Sequence, residues 1–275
     1  MSGLVVVTGA STGIGRATAI LLSQRGFDVI AGVRTQEAAG ALLDHAPVEP
    51  VIVDVTDPRQ IAALRDAVGD RPLAGLVNNA GVSVAGPLEF MPLDELRRQL
   101  EVNLVGHVAV TQALLDPLRT RGGRIVNIGS VGGRVALPFL GAYAGSKSAL
   151  WSVTEALRGE LRPWGIHAAI VEPGSIATEI WSKAPEGVAA TVEALGPRGE
   201  ELYGEALGRT GEIAESISRG AIPPVKVAEV IHRALTARRP RDRYLVGRDA
   251  WGQVLARRLL GHRLFDRVVA RQMGL

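Results

Sequence analysis

A chain of 275 residues, 47% apolar and 21% charged, carries enough apolar side chain for a full core, which excludes a disordered polypeptide. The absence of cysteine excludes disulfides, thiolate metal sites and cysteine nucleophiles, and no metal is expected. The formal charge is only +3, yet ten arginines oppose three aspartates between Arg238 and Leu275; the body left behind is mildly acidic and a poor partner for nucleic acid.

Lysine is scarce, with only Lys147, Lys183 and Lys226; such an arginine-rich, lysine-poor chain is expected of a GC-rich bacterial genome. Met1-Ser2-Gly3 leads straight into Leu4-Val5-Val6-Val7 with no basic leader, and no apolar run reaches the roughly 18 residues of a membrane span. A cytoplasmic, soluble or peripheral protein is the expectation.

Short β-branched runs at Leu4–Thr8, Asp28–Val33, Val51–Asp54, Gly75–Asn78, Arg124–Ile128 and His167–Glu172 read as strands covered on both faces. Between them, apolar spacings of three and four predict helices at Gly15–Arg25, Arg59–Val68, Leu93–Leu118 and Ala142–Leu161. This alternation means right-handed βαβ units, hence an α/β protein with a doubly wound parallel sheet, Rossmann-like and of about seven strands. After Glu172 the pattern loosens, and Pro173 to Pro224 fits a lid with weak helices, at about residues 181–222. A helix at Val225–Ala237 and a last strand at Tyr244–Val246 follow. No linker or repeat divides the chain, so residues 1–248 read as one domain and 249–275 as a basic tail.

The first strand runs into Thr8-Gly9-Ala10-Ser11-Thr12-Gly13-Ile14-Gly15. A glycine-rich turn from strand to helix brings backbone N–H groups and the positive helix end up to a pyrophosphate. A plain tight turn is the other reading; the strand before and the helix after favour phosphate. At the end of the second strand, where an acidic residue would select NAD(H), stand Val33 and Arg34. A guanidinium can fork onto a 2′-phosphate, which favours NADP(H), whereas a merely solvated arginine would leave NAD(H) open. Tyr143 and Lys147 stand four apart at the start of a helical pattern. They share one face, where an ammonium would lower the phenol's pKa and ready it for proton transfer.

Taken in order, Thr8–Gly15, Asp54 in Asp-Val-Thr-Asp, Asn78-Asn79-Ala80-Gly81, Asn103, Ser130, Tyr143 with Lys147, and Pro173-Gly174 resemble the short-chain dehydrogenases/reductases, in their compact tyrosine-dependent branch. The likeness runs from Leu4 to about Thr178. The stretch from Gly132 through Trp181 is similar to the retinol, hydroxysteroid and hydroxybutyrate dehydrogenases.

The resemblance implies Tyr143 as general acid or base, Ser130 as hydrogen-bond donor to the same substrate oxygen, Lys147 on the nicotinamide ribose, and Asn103 holding a water that links Lys147 to solvent. It implies cofactor contacts from Gly9, Ser11, Thr12, Gly13, Ile14 and Gly15, with Arg34 beside them. Asp54 and Val55 would lie at the adenine, and Asn79, Ala80 and Gly81 along the adenosine. Tyr143 and Lys147 would also contact the cofactor, and Pro173, Gly174, Ile176 and Thr178 would surround the nicotinamide carboxamide and the phosphates. It further implies an apolar alcohol or carbonyl substrate and a homodimer or homotetramer formed through Leu93–Leu118 and Ala142–Leu161. The rival readings are NAD(H) use within the family and a cofactor-binding regulator without turnover.

In the tail, Trp251, Val254, Leu255, Leu259, Leu264, Phe265, Val268 and Val269 interleave with Arg257, Arg258, Arg263 and Arg267, and Gly261 interrupts the pattern. One or two terminal helices packed on the domain or on a neighbour is the favoured reading, with contact to an anionic membrane surface the alternative.

Overall fold

The computed structural model describes residues 2–178 and 184–275, with side chains left out for 184–194 and 213–219. Its seven strands are β1 (Leu4–Val7), β2 (Asp28–Val33), β3 (Glu49–Ile52), β4 (Leu73–Asn78), β5 (Arg124–Ile128), β6 (His167–Pro173) and β7 (Arg243–Val246). They form one sheet in the order β3-β2-β1-β4-β5-β6-β7, every pair parallel. The order reverses between β1 and β4, and in such sheets the crevice beyond the carboxyl ends at the reversal receives the ligand.

The strands bury both faces because their side chains alternate. Val5 and Val7 of β1 enter one apolar layer, completed by Ala19 and Leu22 of α1 (Gly13–Gln24), Leu42 of α2 (Gln36–Leu43) and Ile231 of α9 (Pro224–Thr236). Leu4 and Val6 enter the other, against Leu64 of α3 (Pro58–Val68), Val110 of α5 (Gly106–Ala113) and Leu118 of α6 (Leu115–Arg119). The remaining helices are α4 (Leu93–Leu100), α7 (Gly141–Glu160), α8 (Ala184–Arg219) and α10 (Arg248–Met273). The Rossmann-like, doubly wound α/β reading is therefore borne out.

Local departures from the expected elements have physical causes. The helix expected over Leu93–Leu118 is instead α4, a π turn at Glu101–Val105, α5 and α6. Pro117 has no N–H to donate to the Ala113 carbonyl, which explains the break at Leu114. The helix α2 lacks a predicted counterpart because it buries only Ala39 and Leu42; its one local signal is Thr35, whose hydroxyl accepts from Ala38 N at 3.2 Å as an N-cap. Strand β3 starts at Glu49 and includes Pro50, tolerated because β3 is an edge strand. Residues 181–183 of the expected lid lie outside the described residues. The rest of that stretch is α8, broken at Gly196 (φ 66°) ahead of Pro197. The tail is a helix, α10, broken at Gly261 (φ 68°), and it buries Ala250, Phe265 and Met273.

Candidate active site

At the switch point the loops after β1 and β4 are laced together. The Thr8 hydroxyl accepts from Asn79 N at 3.0 Å and from Ala80 N at 3.1 Å. The Asn79 side-chain amide donates to the Thr8 and Gly9 carbonyls, each at 3.0 Å. Two glycines make this approach: a Cβ on Gly9 would stand 2.7 Å from Ala80 Cα, and one on Gly15 would collide with the Gly9 carbonyl and the Asn79 amide. Gly13, at φ 53°, turns the chain into α1.

The first turn of α1 holds no acidic residue, and Thr12 at its N-cap makes no side-chain capping bond. Its leading N–H groups therefore face the crevice with the positive end of the helix. Thr178, from the loop after β6, sits against this turn, its Cγ2 3.0 Å from where a Gly13 Cβ would be. A dinucleotide fits this cradle: glycine backbone at the phosphates, and the β1 and β6 loops side by side.

The other expected cofactor residues are dispersed around the same end of the sheet. Arg34 is exposed just beyond β2 and makes no ion pair among the described residues. Asp54 accepts from Thr56 N at 2.9 Å and Thr56 Oγ1 at 2.7 Å, so its carboxylate already organises a turn; Val55 is buried beneath it. The side chain of Ile14 is partly buried and packs against the core. Ser11 is half-buried and Thr12 exposed at the mouth. Pro173 ends β6, Gly174 N donates to Val246 O at 2.8 Å, and Ile176 is buried.

Ser130, Tyr143, Lys147 and Asn103 converge. Tyr143 and Lys147, one helical turn apart on α7, place the ammonium 5.8 Å from the phenol ring centroid. A Cβ on Gly132 would stand 3.3 Å from Ser130 Oγ and 3.5 Å from Tyr143 Cε1, so serine and phenol flank one small space. Lys147 is buried, donates to Ile128 O at 2.8 Å, and burial lowers its pKa to about 8. Crowding around the phenol raises the pKa of Tyr143, with a hydrogen bond to Ser130 pulling the other way. The expected lowering by Lys147 is thus not the dominant effect here, because desolvation disfavours phenolate more strongly.

Asn103 lies buried in the π turn, where a wide turn re-aims helix groups. Its side chain is held by protein groups: Oδ1 accepts from Val82 N at 2.9 Å, while Nδ2 donates to Val82 O at 3.0 Å and to Ser146 Oγ at 3.1 Å. It braces the loop carrying Gly81, whose Cβ position would lie 3.4 Å from Asn103 Oδ1 and 3.8 Å from Lys147 Nζ.

Sequence reasoning passed over His107, one of the buried polar groups behind this site. It is completely enclosed, Nε2 lies 2.6 Å from Ala80 O, and burial, with Lys147 nearby, lowers its pKa to about 3. Nothing local distinguishes it from a surface histidine on a helix. The unfolded chain takes up a proton near pH 6.5 and the folded one does not, so the stabilising contribution is complete above 6.5 and is lost as pH falls toward 3. The expected slope is at most about 1.4 kcal/mol per pH unit. Urea titrations between pH 7 and 4 should show the midpoint falling, and His107→Gln should flatten that dependence; equal slopes in both proteins would refute the assignment.

Against known proteins, the short chain dehydrogenase family model matches residues 3–189. An NADPH-dependent 3-dehydrocapnine reductase from Ornithobacterium rhinotracheale is 33% identical over 98% of this chain and 96% of its own. Retinol dehydrogenase 5 of Mus musculus is 37% identical over 90% of this chain and 81% of its own. A solved short-chain dehydrogenase/reductase from Burkholderia phymatum, in complex with NAD, superposes with a TM-score of 0.77 at 25% identity, covering 94% of this chain and 93% of that one. With this fold and this convergence of side chains, the chain belongs to the short-chain dehydrogenase/reductase family and is an oxidoreductase acting on alcohol or carbonyl groups.

Proposed function

We propose that this protein is an NADP(H)-dependent oxidoreductase that interconverts a secondary alcohol and a ketone or aldehyde on a fairly apolar small molecule. The observation that carries the reading is the shared space between Ser130 Oγ and the Tyr143 ring, with buried Lys147 behind it. The nicotinamide supplies or accepts hydride when bound. In reduction Tyr143 donates its proton to the substrate oxygen, and the Ser130 hydroxyl hydrogen-bonds that oxygen as charge develops. Lys147 holds the ribose, and Asn103 braces the Gly81 loop beside it. The backbone of Gly9, Ser11, Thr12, Gly13, Ile14 and Gly15 receives the pyrophosphate. Asp54 and Val55 stand at the adenine; Asn79, Ala80 and Gly81 follow the adenosine; Pro173, Gly174, Ile176 and Thr178 surround the nicotinamide.

The relatives' names support an apolar alcohol or carbonyl and leave both NADPH and NAD in view. Arg34 favours the 2′-phosphate, being exposed just beyond β2 and in no ion pair among the described residues. Fluorescence titration should find NADPH bound more tightly than NADH, and Arg34→Ala should weaken NADPH roughly tenfold or more with little change for NADH. Equal or tighter NADH binding by the parent protein would overturn the NADP(H) reading. Association into homodimers or homotetramers is supported by an apolar groove between α5, α6 and α7, lined by Val108, Leu115, Val153, Leu157 and Trp164.

A further inference from the structure

The oxidoreductase site gives no role to the outer face of α10. Trp251, Leu255 and Leu259 follow one another every four residues before the break at Gly261, and all are exposed, Leu259 at 75%. Leu264 and Val268 repeat the spacing after the break, exposed at 47% and 42%. At 100° per residue, Arg248 and Arg258 fall on the stripe of Trp251, Leu255 and Leu259, and Arg267 and Arg271 on that of Leu264 and Val268. None of these four arginines makes an ion pair among the described residues, whereas Arg257, turned inward, lies over the Phe265 ring. The other side of α10 is anchored: Met273 joins Phe139, Ala206 and Leu207 in an apolar cluster that ties it to α8.

An apolar stripe rimmed by arginines that have no ion-pair partner among the described residues, on a helix held down from behind, matches the interface of an anionic bilayer. There the aliphatic and indole groups enter the acyl boundary while guanidiniums meet lipid phosphates. No helix among the described residues is long and apolar enough to cross a membrane, so the contact would lie in the surface plane. Charge discriminates against a two-fold contact with a second copy, which would set the same arginines against one another. We propose that the outer face of α10 is a docking surface for anionic phospholipid membranes. Phe139, four residues before Tyr143, packs in the cluster that anchors the inner side of α10. The docking itself does not depend on which substrate is used.

The test is co-sedimentation of the full chain with phosphatidylcholine vesicles, with and without phosphatidylglycerol. Expected are pelleting with the anionic vesicles, release by high salt, and at least a tenfold loss of partitioning in Leu255→Glu/Leu259→Glu and in Arg258→Glu/Arg267→Glu. Circular dichroism of each variant confirms that it folds. Failure to pellet with anionic vesicles at low salt would overturn the proposal. So would equal pelleting with neutral vesicles, or light scattering showing that Leu255→Glu/Leu259→Glu dissociates an oligomer.

Discussion

Tyr143→Phe is expected to lower kcat/KM by about 10²- to 10⁴-fold on any accepted carbonyl, the range contributed by a positioned acid or base, with NADPH affinity little changed. The substitution removes one oxygen from a ring packed beside Ser130 and Gly132, so the site keeps its shape and loses only its proton. Because crowding holds the phenol above its usual pKa, the neutral, donating form prevails at physiological pH. Reduction should therefore be nearly flat with pH through neutrality, whereas oxidation, which needs the phenolate, should rise as pH increases. Lys147, at about 8, stays cationic below that value and loses its charge above it, which adds a decline in ribose binding on the alkaline side. Steady-state rates in both directions between pH 6 and 10 test this. If Tyr143→Phe kept most of its turnover, or if oxidation peaked at acid pH, Tyr143 would not be the proton carrier.

Glu172→Ala is expected to destabilise the fold by about 3 kcal/mol, the lower part of the range for removing one partner of a buried ion cluster. The carboxylate is 1% exposed at the end of β6. Arg134 reaches it with Nε at 3.1 and 3.0 Å and with Nη2 at 2.6 Å. Arg243 of β7 reaches it with Nε at 3.1 Å and Nη2 at 2.5 Å. The Arg243 guanidinium also lies 4.3 Å over the Trp151 ring of α7. Without Glu172 two guanidiniums would face one another with no counter-charge. Both are about a quarter exposed, and water reaching them places the expected loss at the lower end. Thermal unfolding should show a midpoint lower by roughly 6–12 °C. Glu172→Met combined with Arg134→Met and Arg243→Leu should recover much of the loss, since packed apolar groups replace buried ion clusters well. A drop of under about 2 °C for Glu172→Ala would show that the cluster carries little stability.

The same cluster has a consequence for the site. Arg134 follows the turn that opens at Ser130, and Glu172 precedes Pro173-Gly174, so the ion cluster joins the serine loop to the loop after β6. From the tail, Asp249 Oδ2 accepts from Ser175 N at 2.7 Å, and a Cβ on Gly174 would collide with that carboxylate. The loop after β6 is thus held from the loop after β5, from β7 and from α10 at once. None of these partners shows a local pattern: Arg134 and Arg243 are 109 positions apart and read as ordinary charged residues until β6 and β7 are paired.

Short-range constraints made the rest legible. Strands buried on both faces must be short and β-branched, crossover helices must be amphipathic, and a turn that laces two loops together must be free of Cβ at Gly9 and Gly15. Tyr143 and Lys147 share a helical face by spacing alone. The π turn around Asn103 and the break at Leu114, by contrast, lay under an apolar pattern that runs on through both positions.

The sequence by itself therefore determined the βαβ order, the glycine-rich turn and the tyrosine–lysine pair, because each depends on residues within about one turn or one loop, and the family, because several such motifs fall in order from Leu4 to about Thr178. Only the tertiary structure decided that desolvation outweighs the ammonium at Tyr143, that His107 is buried and neutral, and that Glu172 sits between two arginines. It also decided that α10 packs by Phe265 and Met273 while leaving Trp251, Leu255 and Leu259 outside. Burial and long-range charge pairing arise from elements distant along the chain, and hydrophobic spacing records that a helix has an apolar face without recording which side its neighbours cover.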